Sequence, residues 1–439
     1  MSKKAALYTL GCKLNQYETM FLQEQLEKCG YAIVPFDSMA DVYIINTCTV
    51  TNRGDYHSRM KLRQARQMNP DALLVATGCS AQVNPQRLAD IPGVDLILGN
   101  SEKTDIVHYL THLEKKGFPD IRVSELDQET PFQIQFLDHF SDYTRAFLKI
   151  QDGCDNRCSY CIVPIARGRN RSAKYEDALS QARQLVENGY RELVLTGIHL
   201  GTYGQDLETK PTLSDLLEDI LAGLGSVRLR LSSIEPTEIT PALKRLVAQS
   251  PRVCAHLHVP LQSGDDQILK AMHRPYTCAF YKELIEELVS LRPEIAIGAD
   301  VMAGFPGETH ENFQNTFQFI EALPLAYLHV FSFSPRPGTE AAQLPNQIDG
   351  RIKKERCALL RKLGREKFYH FRRRFLTLPL PALVLGKRDE ETAHHIALTG
   401  NYIKVVTAEA DDLVNQEVSV EIIDVLEGKT FGKVIAKEN

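Results

Sequence analysis

Nine short apolar runs, alternating with stretches of helical periodicity, limit the folds open to this 439-residue chain. Three lie in the first hundred residues, at 5–10, 42–46 and 73–77, ahead of helix-like segments at 16–29, 55–68 and 85–90. Six more fall at 146–150, 193–197, 227–232, 256–260, 297–302 and 327–333. The helical segments of this second set are 175–188, 213–224, 241–248, 265–272, 279–292 and 310–322. Strands that alternate with helices pair in parallel, because each crossover helix returns the chain to the same edge of the sheet. The first set therefore predicts an open parallel α/β sheet and the second an open or partial (β/α)6 barrel. In both, ligands are expected at the carboxyl ends of the strands. The length exceeds one ordinary core, so two or three domains are expected.

The pattern changes twice. Residues 117–143 lack periodicity and carry scattered Pro, Asp and Gln, which reads as a linker. Beyond Phe375, short alternating runs at 382–386, 395–399, 402–407, 417–425 and 431–435 predict a small antiparallel β-barrel. The expected division is 1–116, linker 117–143, 144–374 and 375–439. A helix over 351–374 carries eleven basic and two acidic residues. That charge either faces an anionic partner or is a solvated surface, with Leu359, Leu360 and Leu363 as its packing face. The terminal segment has six basic against eleven acidic residues, which argues against phosphate binding over its whole surface. Tyr402 there is either a core residue or a base-stacking one.

Three thiols at Cys154, Cys158 and Cys161 have the spacing Cys-x3-Cys-x2-Cys. Soft thiolates select iron–sulfur clusters, zinc or copper(I), and no fourth Cys or His stands nearby to close a zinc tetrahedron. The asymmetric spacing fits a loop wrapped on a [4Fe–4S] cube, leaving one iron without a protein ligand. A second set, Cys12, Cys48 and Cys79, follows the three amino-terminal strand runs. Parallel strands share a carboxyl edge, so these cysteines are expected to converge. Gly11 and Gly78 precede two of them and allow a tight turn. Taken alone, independent buried thiols would also account for this trio.

Fifty-one basic and fifty-six acidic residues give a net charge of −5, unlike a protein that coats nucleic acid nonspecifically. No apolar run is long enough for a membrane span and no signal-peptide core opens the chain, so a cytoplasmic protein is expected. In a reducing compartment cysteines serve as ligands or buried thiols. Cys29, Cys254, Cys278 and Cys357 are expected to be structural.

The Cys154–Cys161 loop resembles that of the radical S-adenosylmethionine superfamily, with Tyr160 at its aromatic position. The resemblance implies a [4Fe–4S] cluster that binds S-adenosylmethionine and cleaves it to a 5′-deoxyadenosyl radical, with the aromatic ring beside the adenine. Cofactor contacts are expected in loops after the strands, at Thr196, Gly197, Ser233, Glu235 and Gln262. The stretches 9–19, 46–52, 151–154 and 329–338 most resemble the methylthiotransferases acting on threonylcarbamoyladenosine in tRNA, over nearly the whole chain. That family orders an amino-terminal methylthiotransferase domain, a radical core and a terminal TRAM barrel. By this resemblance Cys12, Cys48 and Cys79 hold a second, auxiliary [4Fe–4S] cluster. One S-adenosylmethionine methylates sulfur there, a second yields the radical that takes hydrogen from adenine C2, and no side-chain acid or base is needed. The substrate would be the modified adenosine at position 37, beside the anticodon, splayed out of its loop. An electron donor such as flavodoxin or ferredoxin and a sulfur donor are implied partners.

Arg53, Arg59, Lys61, Arg63 and Arg66, then Arg167, Arg169 and Arg171, and Arg372, Arg373 and Arg374 are the expected RNA contacts, although ordinary salt bridges would account for any one of them. Ile165 departs from the aromatic residue frequent in relatives. Rival expectations keep the chemistry on isopentenyladenosine in tRNA or a ribosomal-protein aspartate, or make the chain a noncatalytic iron–sulfur RNA-binding module.

Overall fold

In the computed structural model, which describes residues 2–115, 117–126, 130–132, 135–139, 144–408 and 411–437, two compact units are not contiguous in sequence. The first comprises Met1–Leu137, Gln151–Arg171 and Ser334–Ala342; the second Asp138–Ile150, Ser172–Phe333 and Gln343–Asn439.

The first unit is built on β1 (Lys4–Thr9), α1 (Lys13–Lys28), β2 (Ala32–Ile33), β3 (Val42–Thr47), α2 (Asn52–Met68), β4 (Leu73–Gly78), α3 (Cys79–Val83), α4 (Pro85–Ala89), β5 (Leu96–Leu98), α5 (Ile106–His112) and β6 (Asp120–Arg122). The strands pair in parallel in the order β2-β1-β3-β4-β5-β6. Both faces are covered, which is why β3 is buried at every position and reads as an unbroken apolar run. Tyr43 and Ile45 pack with Leu62 of α2, while Val42 and Ile44 face Leu22 and Leu26 of α1 and Ile106 of α5. β6 corrects the linker expectation: three residues inside 117–143 extend the sheet at its edge. Residues 127–129, 133–134 and 140–143 of that stretch lie outside the described residues. A further short helix, α6 (Val163–Arg167), follows the second cysteine loop.

The second unit carries six parallel strands in chain order. Ala146–Lys149, Glu192–Thr196 and Arg228–Leu231 make one sheet, and His256–His258, Ala296–Ala303 and Tyr327–Ser332 the other. Parallel bridges Leu229–Val253 and Ser233–His258 carry the order from one to the next. All six expected strands are present, with helices between them. Five terminal strands, Pro379–Arg388, His395–Thr399, Lys404–Thr407, Glu417–Val425 and Thr430–Lys437, close into a barrel. It is antiparallel except where Val406 meets Phe431 in parallel.

The barrel is anchored by buried charge. Glu192 accepts hydrogen bonds from Arg228 Nε at 2.7 Å and Arg230 Nε at 2.8 Å. The same guanidinia donate to the carbonyls of Leu398, Thr399 and Gly400 in the terminal barrel. At the other contact, Phe371 and Phe375 of the basic helix Gly350–Arg373 and its end enter the barrel core with Val418, Val420 and Ile422. No helix among the described residues is long and apolar enough to cross a membrane.

Candidate functional site

β1, β3 and β4 are neighbours, so their carboxyl ends present three loops side by side. Cys12 is the N-cap residue of α1, Cys48 follows β3, and Cys79 opens α3 directly after β4. Thr47 and Gly78 are register partners, which places Cys48 and Cys79 on adjacent chains at one level. Gly11 has φ +99°, and a Cβ there would stand 2.9 Å from Cys48 Sγ; the sulfur sits against the backbone that leads into Cys12. Gly78, at φ +91°, leaves no room either, since a Cβ would meet Asn46 Oδ1 at 2.3 Å. Only glycine permits both the left-handed turn and the close approach.

The thiols feel one another. Burial first, then Cys79 and Cys12, pushes Cys48 up to about 12, and burial also raises Cys79. Three thiols at one sheet edge are a donor set that fits a metal cluster once a cation takes the protons' place.

The second cysteine loop lies in the same unit. Gly153 turns at φ +72°, with Arg169 O only 1.8 Å from where a Cβ would be, and Cys154 N–H donates to Gly168 O at 3.1 Å. Cys161 N–H closes the turn on Cys158 O at 3.0 Å. Cys154, Cys158, Tyr160 and Cys161 are half-buried. Three thiols in so short a loop match the donor chemistry of an iron–sulfur cluster.

Arg167, the last residue of α6, ties the two cysteine sets together. It is 1% exposed. Its Nη1 donates to Glu18 Oε1 at 2.9 Å and Asp152 Oδ1 at 3.1 Å; Nη2 donates to Asn15 Oδ1 at 2.6 Å and Glu18 Oε2 at 3.1 Å. Glu18 and Asn15 belong to α1, which Cys12 starts, and Asp152 stands just ahead of Cys154. Lys103, also buried, donates to Glu18 at 2.5 Å. Asn15 extends the network to the carbonyls of Leu10 at 2.7 Å and Thr47 at 3.1 Å, the approaches to Cys12 and Cys48. Two buried cations beside these cysteines could offset the negative charge of thiolates there. A separate buried cation, Arg336, pairs with Asp55 and reaches Thr49 Oγ1 at 2.8 Å and Asn52 Oδ1 at 2.7 Å, fixing the loop after Cys48.

Arg167 is therefore not an RNA-contact residue: its guanidinium is enclosed by carboxylates. Arg372 is corrected as well, because it is buried against backbone carbonyls and a hydroxyl. It is 2% exposed and donates to Leu426 O at 2.9 Å, Glu427 O at 2.7 Å and Thr430 Oγ1 at 2.9 Å. Arg53, Arg63, Arg169, Arg373 and Arg374 are exposed, while Arg59 and Arg171 are half-buried. Arg374 leans over Phe371 and Phe375 and donates to Pro293 O at 2.7 Å.

In the second unit Thr196 ends one strand and Gly197 follows it, Ser233 and Glu235 follow the next, and Gln262 follows the fourth. Gln262, at φ +67°, donates its N–H to Asp300 O at 2.8 Å. Glu235 is paired with Arg274; burial raises its pKa against the pull of that guanidinium. Sequence reasoning missed Glu18, Lys103, Asp152, Asp55 and Arg336. Glu18, Asp152 and Arg336 lie inside the motif stretches 9–19, 151–154 and 329–338 and Asp55 lies just after 46–52, whereas nothing in the sequence marked Lys103.

Residues 4–99 match Uncharacterized protein family UPF0004, and residues 148–320 match the Radical SAM superfamily. The chain is 39% identical to "Threonylcarbamoyladenosine tRNA methylthiotransferase MtaB" of Bacillus subtilis, over 95% of this chain and 93% of that one. It is 40% identical to the Aquifex aeolicus protein of the same name, over 92% and 96%. A "tRNA-2-methylthio-N(6)-dimethylallyladenosine synthase" of Carboxydothermus hydrogenoformans is 33% identical over 98% of both. Among solved structures, the radical S-adenosylmethionine methyltransferase TsrM of Kitasatospora setae aligns with a TM-score of 0.56 at 16% identity, over 78% of this chain and 77% of that one, a likeness of fold.

Proposed function

This chain belongs to the radical S-adenosylmethionine methylthiotransferases that modify tRNA, and from that premise we propose that it methylthiolates C2 of N6-threonylcarbamoyladenosine at position 37, beside the anticodon. The product is 2-methylthio-N6-threonylcarbamoyladenosine. Cys154, Cys158 and Cys161 hold one [4Fe–4S] cluster and Cys12, Cys48 and Cys79 a second. When bound, the clusters and S-adenosylmethionine supply the electron, the radical and the transferred sulfur.

The chain's own residues do the positioning. Arg167 and Lys103 balance charge beside the thiolates, and Arg167 holds the first turns of α1 against the approach to Cys154, so the two cysteine loops keep one spacing. Gly11 and Gly78 keep the cysteine trio clear of side chains. Tyr160, Thr196, Gly197, Ser233, Glu235 and Gln262 are the proposed contacts of S-adenosylmethionine. No side chain need act as acid or base. Arg53, Arg59 and Arg63 on α2, with Arg169, Arg171, Arg373 and Arg374, are the proposed contacts to the anticodon-loop backbone, where positive side chains replace counterions. A cytoplasmic setting supplies the tRNA, a flavodoxin- or ferredoxin-type electron donor and a sulfur donor.

The observation that supports this reading most directly is the meeting of Cys12, Cys48 and Cys79 at adjacent strand ends, in the same compact unit as the second cysteine loop. The experiment is anaerobic reconstitution with iron and sulfide counting, followed by turnover on tRNA carrying either the threonylcarbamoyl or the isopentenyl group. Two clusters' worth of iron, halved by Cys48→Ala, and methylthiolation of the threonylcarbamoyl substrate are expected. A single cluster in the wild type, or turnover only on isopentenyl tRNA, overturns it.

A further inference from the structure

The second unit holds another set of ligand-type side chains that the cysteine chemistry leaves unused. His258 ends the strand His256–His258, Asp300 lies within Ala296–Ala303, and His329 within Tyr327–Ser332, three neighbouring parallel strands. Register sets Asp300 opposite His329 and His258 opposite Gly298. Ala299, Val301 and Ala303 are fully buried on the other face of the middle strand, so the three polar side chains share the opposite one.

Both imidazoles address a single oxygen. His258 Nε2 is 2.9 Å and His329 Nδ1 3.4 Å from Asp300 Oδ1, and the two rings stack with centroids 4.9 Å apart. All three donor atoms lie within 4.8 Å of one another. Donors in a tetrahedral zinc site, with bonds of about 2.0–2.1 Å, stand roughly 3.3 Å apart. The measured carboxylate–imidazole separations bracket that edge. Two nitrogens and a carboxylate oxygen are also the donor type of non-heme iron(II) sites with open positions.

The surroundings orient the ligands. His258 Nδ1 faces Tyr327 Oη at 3.3 Å, and the same hydroxyl is 2.8 Å from His256 Nε2. A hydrogen bond of this kind on one ring nitrogen fixes which nitrogen points at a metal. Gly298 makes room for the phenol, since a Cβ there would come within 2.1 Å of Tyr327 Cζ. Side-chain exposure rises from 10% at His258 through 25% at Asp300 to 55% at His329, so a cation would be held from one side and open on the other.

We propose that His258, Asp300 and His329 form a mononuclear site for a divalent first-row metal, separate from the six cluster thiols. Three protein donors leave coordination positions for oxygen or nitrogen atoms of solvent or of a bound molecule.

The test uses the full chain with its clusters reconstituted, cleared of loose metal by a chelator and dialysed against manganese(II) or, separately, zinc(II). Bound manganese is read by electron paramagnetic resonance and zinc by elemental analysis. One equivalent of either ion per chain is expected in the wild type. Asp300→Asn and His329→Gln should each weaken its binding by about tenfold or more, with iron and sulfide contents unchanged. His329 is exposed, so its replacement leaves the fold intact, and the iron count verifies this for Asp300→Asn. Failure of the wild type to take up either ion, or uptake by both variants equal to that of the wild type, would show an ion pair only and overturn the proposal. Cluster loading and tRNA turnover are read separately, so this site and the proposed reaction can fail independently.

Discussion

Replacing Arg167 by Met tests whether the buried charge network organises the cysteine unit. The substitution fills a similar volume but leaves Glu18 and Asp152 buried without the guanidinium that both now accept from. Removing one partner of a buried ion pair costs about 3–5 kcal/mol, chiefly because the remaining charge is stranded. Lys103 stays beside Glu18 at 2.5 Å, so the lower part of that range, about 3 kcal/mol, is expected. For a urea slope of about 2 kcal/mol per molar, the first unfolding midpoint falls by roughly 1.5 M. The chain has no tryptophan, so far-ultraviolet circular dichroism is the assay. The sharper comparison adds Asp152→Asn to Arg167→Met, because Glu18 keeps Lys103 as its buried partner. Neutralising the stranded Asp152 should recover part of the loss, although more residues have changed. Arg167 is also the foremost charge opposing the effect of burial on Cys79, so Arg167→Met should need a higher pH to load iron. A loss under about 1 kcal/mol, or a double variant no more stable than the single one, would refute the reasoning.

Three further outcomes are expected. Glu192 is fully buried, yet Arg230, Arg228 and Arg145 hold its pKa well below the ordinary carboxylate value despite that burial. A depressed native pKa stabilises above the unfolded value of about 4.3. Glu192→Gln should therefore cost about 3 kcal/mol at neutral pH, and the gap from wild type should close only as pH falls below that value, followed by thermal melts across pH. Gly11→Ala should strain the turn by about 1–3 kcal/mol and lower iron in the amino-terminal site. Gly30→Ala, also at positive φ but with nothing within 4 Å, should leave iron content unchanged. Arg372→Ala should lower the melting temperature with little change in the salt slope of tRNA affinity, whereas Arg53→Glu with Arg63→Glu should weaken binding and flatten that slope by about 2; filter binding against salt separates them.

Much of the fold was legible because its strands are buried on both faces. A run such as Val-Tyr-Ile-Ile in β3 has few other places to go, and cysteines at the ends of parallel strands must share an edge. The residues around 120–122 gave no such signal. Asp-Ile-Arg becomes a strand only because the edge of β5 offers it hydrogen-bonding partners, a contribution that no local pattern carries. The placement of the cysteines was legible through spacing and strand position, but the charge network around them was not. Arg167 lies 149 residues from Glu18, and nothing in the composition of either segment pairs them.

The same limit decides which arginines can reach RNA. A cluster of positive charge in sequence reads as a surface, yet Arg167, Arg228, Arg230, Arg336 and Arg372 are each buried against carboxylates or carbonyls. Burying so many guanidinia is costly unless each is matched, and here each is matched by a contact distant in sequence. Glu192 and Arg372 thus bind the terminal barrel to the strands and helix of its own unit, while the barrel's excess of acidic residues repels phosphate. Positive charge able to exchange with counterions is then confined to exposed residues such as Arg53, Arg63, Arg169 and Arg373. Sequence-independent affinity for tRNA should follow those positions, and the barrel should contribute shape and rigidity rather than charge.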